Sequence, residues 1–189
     1  MSHFTVVYDA CVLYPAPLRD LLMRLALTGL FRARWTEKIH DEWSSALLAS
    51  RPDLTADQLR RTRDLMNENV CDCLVEEYED LIPGLQLPDD NDRHVLAAAI
   101  KCSASVIVTL NLKHFPHSHT GKYGIEAQHP DDFITHQIDL SPGKVCSAVR
   151  DQRLALKNPV KSVEELLDTL AGCQLTESTL RLAEFKDLI

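Results

Sequence analysis

The sequence has no hydrophobic run long enough to cross a bilayer, for which about 18–20 consecutive apolar residues are needed. Its first residues also lack the basic segment and long apolar stretch that mark a signal peptide. We therefore expect a cytoplasmic protein with no membrane segment.

Several catalytic and cofactor-binding motifs are missing as well. The sequence contains no GxSxG nucleophile elbow, no P-loop and no GxGxxG turn. Serine-hydrolase chemistry and nucleotide-cofactor binding therefore lose their main sequence support.

The cysteines and histidines show no zinc-site spacing. The six cysteines are scattered without a CxxC pair, which favours free thiols in or near a core over a disulfide scaffold or a zinc site. The histidines cluster only at His114, His117 and His119, which we interpret as ordinary loop residues.

The charge is acidic and unevenly distributed. The 189 residues carry a net charge of −8, and residues 37–92 alone contain 15 acidic and 5 basic residues. Affinity for nucleic acid usually comes from Lys and Arg, so this balance counts against a nucleic-acid ligand. However, divalent metals held by carboxylates can recruit phosphate themselves, and a basic partner could cover the acidic middle.

Apolar runs that alternate with helical periodicity predict an α/β fold with a parallel sheet. After about residue 141 only helical patterns follow, at 142–156, 162–171 and 176–187. We therefore predict a domain over residues 1–140 and a helical C-terminal extension over 141–189. The expected strands are at 4–8, 31–35, 70–75 and 104–109, with a short element near residue 125.

Polar residues stand where the predicted strands end. Asp9 follows the first strand, an acidic turn containing Asp89 and Asp92 opens the helix before the central strand, and Thr109 precedes Asn111 just after that strand. Ligands of parallel α/β sheets bind beyond the carboxyl ends of the strands, so we expect these residues to converge. Glu42, on a predicted helix, joins them only if that helix packs at the same end.

Clustered carboxylates repel one another, and hard divalent cations such as Mg²⁺ and Mn²⁺ relieve that repulsion. Taken singly, each residue also has an ordinary interpretation. Asp9 and the acidic turn could cap helices, Glu42 could be a solvated helix residue, and Asn111 could be a turn residue. Position alone therefore leaves both interpretations open.

Four segments together match a known pattern. They read VVYDACVLYPAPLRDLLMRLA, WTEKIHDEW, PDDNDRHVLAAAI and VIVTLNLKHFP, in this order within residues 4–135. In them the sequence resembles PIN domains, particularly the VapC-like toxin ribonucleases of bacterial toxin–antitoxin pairs. The resemblance implies a three-layer α/β/α sandwich with a mainly parallel central sheet.

The resemblance also implies hydrolysis of RNA phosphodiesters by a water that Mg²⁺ or Mn²⁺ activates. The acids of the family fall on Asp9, Glu42 and Asp92, as catalytic and metal-binding residues. The fourth position, often Asp, falls on Asn111, a neutral oxygen ligand that reduces the charge of the site by one.

Further roles follow from the same resemblance. Asp89 lies close enough to assist as an accessory acid, and Thr109 could orient a water or a carboxylate. His114 stands where many relatives carry Asp, and we assign it no role. Basic residues that could guide the RNA backbone are Arg19, Arg24 and Arg93.

The resemblance implies partners too: an RNA substrate, a cognate antitoxin with a DNA-binding segment, and a second copy in a homodimer. Two alternatives remain open. One is a PIN-fold module that binds protein or RNA with little catalysis, which Asn111 favours slightly. The other is a phosphatase or a nuclease acting on DNA, against which the small size of the chain argues.

Overall fold

The computed structural model describes residues 4–189, and within them four strands form one parallel sheet. The strand order is β2-β1-β3-β4, with Val7 of β1 opposite Arg34 and Ile107. The predicted α/β class with a parallel sheet is confirmed. The strands are β1 (Thr5–Tyr8), β2 (Arg32–Arg34), β3 (Val106–Val108) and β4 (Glu126–Gln128).

Helices make up most of the rest of the described chain. They are α1 (Ala10–Leu13), α2 (Ala16–Ala26), α3 (Glu37–Ser50), α4 (Ala56–Asn69), α5 (Arg93–Lys101), α6 (His117–Thr120), α7 (Pro130–Leu140), α8 (Pro142–Ala155), α9 (Val163–Ala171) and α10 (Thr176–Ala183). Short 3₁₀ turns lie at Glu79–Gly84, Asp90–Asp92, Leu112–His114, Gly121–Tyr123 and Lys186–Leu188.

Side-chain caps fix where several helices begin. The Thr36 hydroxyl accepts a hydrogen bond from the Ile39 amide at the start of α3. Ser162 and Glu165 exchange the two hydrogen bonds of a capping box at the start of α9. These caps satisfy backbone donors that the first helical turn leaves unpaired.

The chain forms two compact units. The first contains the described residues through Tyr14 together with Phe31–His129, and the second contains Pro15–Leu30 and Pro130–Ile189. The predicted helical stretches after residue 141 are present as α8, α9 and α10. The compact units are a different partition from the predicted domains 1–140 and 141–189, and that domain boundary stays a prediction.

A buried polar network joins α3 to α4 in the first unit. Trp35 Nε1 donates to Asn67 Oδ1 at 2.8 Å, and His40 Nε2 lies 2.9 Å from the same oxygen. Trp43 Nε1 donates to His40 Nδ1 at 3.0 Å, so Nδ1 is the acceptor and Nε2 carries the proton. Burial lowers the pKa of His40, which keeps this ring neutral. The network holds α3, and with it Glu42, in a fixed orientation.

The strand expected at residues 70–75 is wrong. Only an isolated parallel bridge forms there, between Leu74 and Trp35. Asp72 has a φ of 58°, in the left-handed region, which interrupts the extended conformation that a strand requires. Apolar and β-branched residues in this run suggested a strand, but the positive φ of Asp72 limits the pairing to a single β-bridge.

The second unit is helical throughout. α7 packs against α10, and α2 packs against α8. The Asp131 carboxylate accepts hydrogen bonds from the backbone amides of Glu177 and Ser178, at 2.8 and 2.7 Å, and so ties α7 to the start of α10. Across residues 4–189, no helix has both the length and the apolar character that crossing a bilayer requires.

Candidate active site

The Asp9 carboxylate is buried where β1 ends, and protein donors hold both of its oxygens. Oδ1 accepts the Ala10 amide at 2.7 Å, which makes Asp9 the N-cap of α1. Oδ2 accepts the Thr109 hydroxyl at 2.7 Å and the Cys11 thiol at 3.1 Å. Asp9 is 5% exposed. Asp9 therefore caps a helix, as one of the two interpretations from sequence expected. The same hydrogen bonds also hold its carboxylate in a fixed position.

Thr109 reaches Asp9 because their strands are neighbours. β1 and β3 pair in parallel, and the Asp9 amide continues the ladder by donating to Val108 O at 3.1 Å. The Thr109 hydroxyl accepts the backbone amide of Asn111 at 3.0 Å while it donates to Asp9. Asp9, Thr109 and Asn111, distant in sequence, meet at one edge of the sheet as the parallel-strand rule predicts.

A second group of side chains surrounds Asp92. Asp89, Asp92 and His114 each present one ligand atom, and these three atoms lie within 4.8 Å of one another. His114 Nδ1 is 2.6 Å from Asp92 Oδ2 and 3.9 Å from Asp89 Oδ2. Asp89 also caps the 3₁₀ turn Asp90–Asp92, since its Oδ1 accepts the Asn91 amide at 3.0 Å.

The electrostatics of Asp92 connect the two groups. Burial raises the pKa of Asp92, and the negative charges of Asp9 and Asp89 raise it further. The hydrogen bond and charge of His114 act in the opposite direction. The charge of Asp9 therefore reaches Asp92, and a cation bound by Asp92 would relieve the cost of its charged form.

Glu42 is oriented by a buried histidine. Glu42 Oε1 lies 2.8 Å from His94 Nε2, and His94 is on α5, two residues after Asp92. His94 is 2% exposed, and its Nδ1 has no hydrogen-bond partner among residues 4–189. The Glu42 side chain is 37% exposed. Glu42 is thus tied to the helix that follows Asp92, although it is outside the group of Asp89, Asp92 and His114.

Two neighbours of the site were missed from sequence. Cys11 donates to Asp9, lies 3.3 Å from the Thr109 hydroxyl and accepts the Leu110 amide at 3.2 Å. Burial, with the nearby charge of Asp9, raises the pKa of Cys11, so the thiol stays protonated as a donor. His114 was assigned no role, and its place where many relatives carry an acid was the signal that could have found it.

The candidate RNA-guiding arginines are distributed over both units. Arg93 opens α5 in the first unit, and its Nε donates to Asp90 O at 3.1 Å. Arg19 and Arg24 are on α2 in the second unit, where Arg24 pairs with Asp20 at 3.1 Å. Their guiding role stays a prediction, as does metal binding by the side chain of Asn111.

The donor atoms of the first unit fit a divalent cation. Carboxylate oxygens are the ligands preferred by Mg²⁺ and Mn²⁺, and imidazole nitrogen binds first-row transition metals. Asp92 carries an unfavourable charge that a cation would stabilise. The side chains available for this purpose are Asp9, Asp89, Asp92 and His114, with Glu42 held nearby.

Two family models match the chain, and each covers a different stretch. The PIN domain model matches residues 5–113, and a model described as the VapC50 C-terminal domain matches residues 130–184. None of the solved structures gives a match.

One curated relative is similar to part of the chain. It is a Mycobacterium tuberculosis protein whose printed name is "Putative ribonuclease VapC50", and it is 43% identical over 93 residues. The match covers 49% of this chain and 54% of that protein, so the chain matches about half of the relative's length.

The PIN domain match includes the ends of β1 and β3, the Asp89–Asp92 turn and α5, which are the elements that bring the acidic side chains together. It covers more than half of the 189 residues. On this match, and on the parallel sheet that places the acids, the chain belongs to the PIN domain family.

Proposed function

We propose that this protein is a metal-dependent endoribonuclease and the toxin component of a type II toxin–antitoxin pair. One observation carries the proposal: the ligand atoms of Asp89, Asp92 and His114 lie within 4.8 Å of one another, and the charge of Asp9 at the end of β1 helps to raise the pKa of Asp92. The likeness to a protein named as a VapC50 ribonuclease supports RNA as the substrate.

In this proposal Asp9, Glu42 and Asp92 are the catalytic and metal-binding acids. Each is held by a different part of the first unit: Asp9 by Thr109 at 2.7 Å, Glu42 by His94 at 2.8 Å, and Asp92 by His114 at 2.6 Å. Such fixed partners keep ligand oxygens in place before a metal arrives, which raises affinity and activity.

A bound Mg²⁺ or Mn²⁺ supplies a Lewis acid for the scissile phosphate and lowers the pKa of a water. The residues of the chain hold the metal ion and position the RNA for this reaction. Asn111 adds a neutral oxygen ligand, Asp89 is an accessory acid, and Thr109 fixes the Asp9 carboxylate. Arg93 guides the RNA backbone from the start of α5, and we assign the same function to Arg19 and Arg24.

The proposal includes protein partners. We infer a cognate antitoxin with a DNA-binding segment, together with a homodimer of this chain, from the likeness to VapC-type proteins. The acidic stretch 37–92 supports a basic partner, because opposite charges steer association.

A second candidate function is a PIN-fold module that binds protein or RNA without efficient cleavage. The neutral Asn111 in place of a fourth acid favours it, since less negative charge holds a second metal less tightly. The retained carboxylates at Asp9, Glu42 and Asp92 favour the enzyme.

The test is cleavage of total RNA by the purified protein with Mg²⁺ or Mn²⁺, resolved on a gel. We expect discrete cleavage that a chelator abolishes. We also expect Asp9→Asn to reduce it at least about 100-fold, because loss of a ligand charge exceeds the 10–100-fold cost of losing an outer partner. Asn keeps an oxygen for the Ala10 amide, so the cap and the fold should survive.

The matched control is Asp57→Asn, which removes an exposed carboxylate from the first turn of α4. It should cleave like the original protein. Equal cleavage by Asp9→Asn and the original protein would show that the activity comes from another site or a contaminant. Absence of cleavage from folded, antitoxin-free protein would favour the binding module.

A further inference from the structure

The group around Asp92 contains a nitrogen donor where an all-carboxylate site would have oxygen. His114 Nδ1 is 2.6 Å from Asp92 Oδ2 and 3.9 Å from Asp89 Oδ2. All three side chains are half-buried, so they are partly shielded from water yet open to an ion from solution. His114 is the last residue of the 3₁₀ turn Leu112–His114, and this turn begins directly after Asn111.

The chemistry of the ligands decides which cation such a group prefers. Mg²⁺ requires oxygen ligands in a near-ideal octahedron and gives up its waters reluctantly. Imidazole nitrogen binds first-row transition metals well, and neutral histidine is the commonest metal ligand in proteins. A site with two carboxylates and one imidazole therefore favours a transition-metal ion over Mg²⁺.

The neighbouring positions strengthen the preference. Asn111 contributes no negative charge, so this end of the site has fewer charged oxygens than one with a fourth acid. Mg²⁺ gains most of its binding energy from charged oxygens and loses more from that change than a metal that also bonds to nitrogen.

We propose that His114 is a metal ligand, and that with Asp89 and Asp92 it makes the centre a Mn²⁺ site with weak affinity for Mg²⁺. The inference rests on the proposed function, because it names the ligand and the metal of the same centre. Its alternative is a histidine that only donates a hydrogen bond to Asp92 and never contacts the metal.

The direct test is pulsed electron paramagnetic resonance of the full-length protein loaded with Mn²⁺. A histidine nitrogen bonded to Mn²⁺ gives ¹⁴N modulation of the electron spin echo. We expect that modulation in the original protein and its loss in His114→Gln at Mn²⁺ concentrations that keep the site filled. His117→Gln, which changes an exposed histidine of the same region, should retain it.

Isothermal titration gives the second readout. We expect the original protein to bind Mn²⁺ at least about tenfold more tightly than Mg²⁺. His114→Asp restores an oxygen ligand and should reduce that ratio about tenfold, chiefly by improving Mg²⁺ binding. His117→Asp should leave the ratio unchanged.

Two outcomes overturn this inference without touching the proposed function, and a third overturns both. Bound Mn²⁺ without ¹⁴N modulation, together with metal-dependent RNA cleavage, would overturn the ligand role of His114 and leave the ribonuclease intact. Modulation that persists in His114→Gln would assign the nitrogen elsewhere and also overturn it. Failure to bind either metal would overturn both.

Discussion

Asp9 and Asp92 belong to the same candidate site, yet their carboxylates differ in burial, in hydrogen-bond donors and in the charges around them. Asp9 is 5% exposed and accepts three hydrogen bonds, from the Ala10 amide, the Thr109 hydroxyl and the Cys11 thiol. Within residues 4–189, Asp92 has one side-chain partner, His114, and two acids, Asp9 and Asp89, that oppose its charge.

This difference indicates that protein donors hold one carboxylate of the site, whereas a metal ion would stabilise the other. Donors from a strand end and a helix start satisfy the Asp9 carboxylate, so its position depends little on a metal. Asp92 has fewer donors and a raised pKa, so a cation has most to stabilise there. We therefore expect the Asp9 carboxylate to lose its position when its protein partners are removed, and the Asp92 carboxylate to lose most of its stabilisation when the metal is removed.

The largest effect expected from breaking the Asp9 side comes from Thr109→Val. The substitution removes the donor to Asp9 Oδ2 and the acceptor for the Asn111 amide, at nearly constant volume. We expect RNA cleavage to fall 10–100-fold, typical for partners of metal ligands. The free energy of unfolding should fall by about 1–3 kcal/mol, because buried polar groups lose their partners.

Thr120→Val is the matched control in the same unit. Thr120 is fully buried, and its hydroxyl has no hydrogen-bond partner among residues 4–189. Cleavage and chemical-denaturation midpoints should therefore stay the same or improve. Equal effects of the two substitutions would show that Thr109 acts through packing and not through Asp9.

A smaller effect is expected from removing the histidine that orients Glu42, and it tests whether that histidine acts on activity or on stability. We expect His94→Leu to lower kcat/KM for RNA cleavage about tenfold, because Glu42 loses the partner that orients it. The melting temperature should stay the same or rise, since the change also removes a buried Nδ1 that has no partner.

His94→Gln provides the rescue. Its amide can still donate to Glu42, so it should recover part of the activity while His94→Leu does not. A melting temperature that falls in parallel with activity in both variants would assign His94 a purely structural role.

The smallest effect is expected at Arg93, beside the Asp92 group. Arg93→Gln should raise KM for RNA a few fold and reduce the slope of log KM against log salt by about one, as for loss of one phosphate contact. Arg60→Gln is the matched control, since both arginines pair with an aspartate three residues earlier in the chain. Identical salt slopes in the two variants would remove Arg93 from the RNA path.

Much of the candidate site could be predicted from sequence because it depends on strand order. Asp9 and Thr109 follow apolar runs that form neighbouring parallel strands, and such strands end at one edge. His114 could not be predicted this way. Its contact with Asp92 spans 22 positions through a 3₁₀ turn, whose geometry leaves no periodic pattern in the sequence.

The strand expected at residues 70–75 failed for a related reason. Its apolar residues fit an extended segment, but the backbone of Asp72 is left-handed, which ends the extended conformation. Aspartate adopts this conformation more readily than most residues, and hydrophobic periodicity carries no signal for it.

The sequence by itself determined the helices after residue 141 and the central strands, because helical periodicity and β-branched runs act between residues close in the chain. Only the tertiary structure decided which side chains meet: Cys11 with Thr109, Glu42 with His94, and Asp92 with His114. Those contacts join residues far apart in sequence, and their distances are set by how the elements pack, which no local pattern encodes.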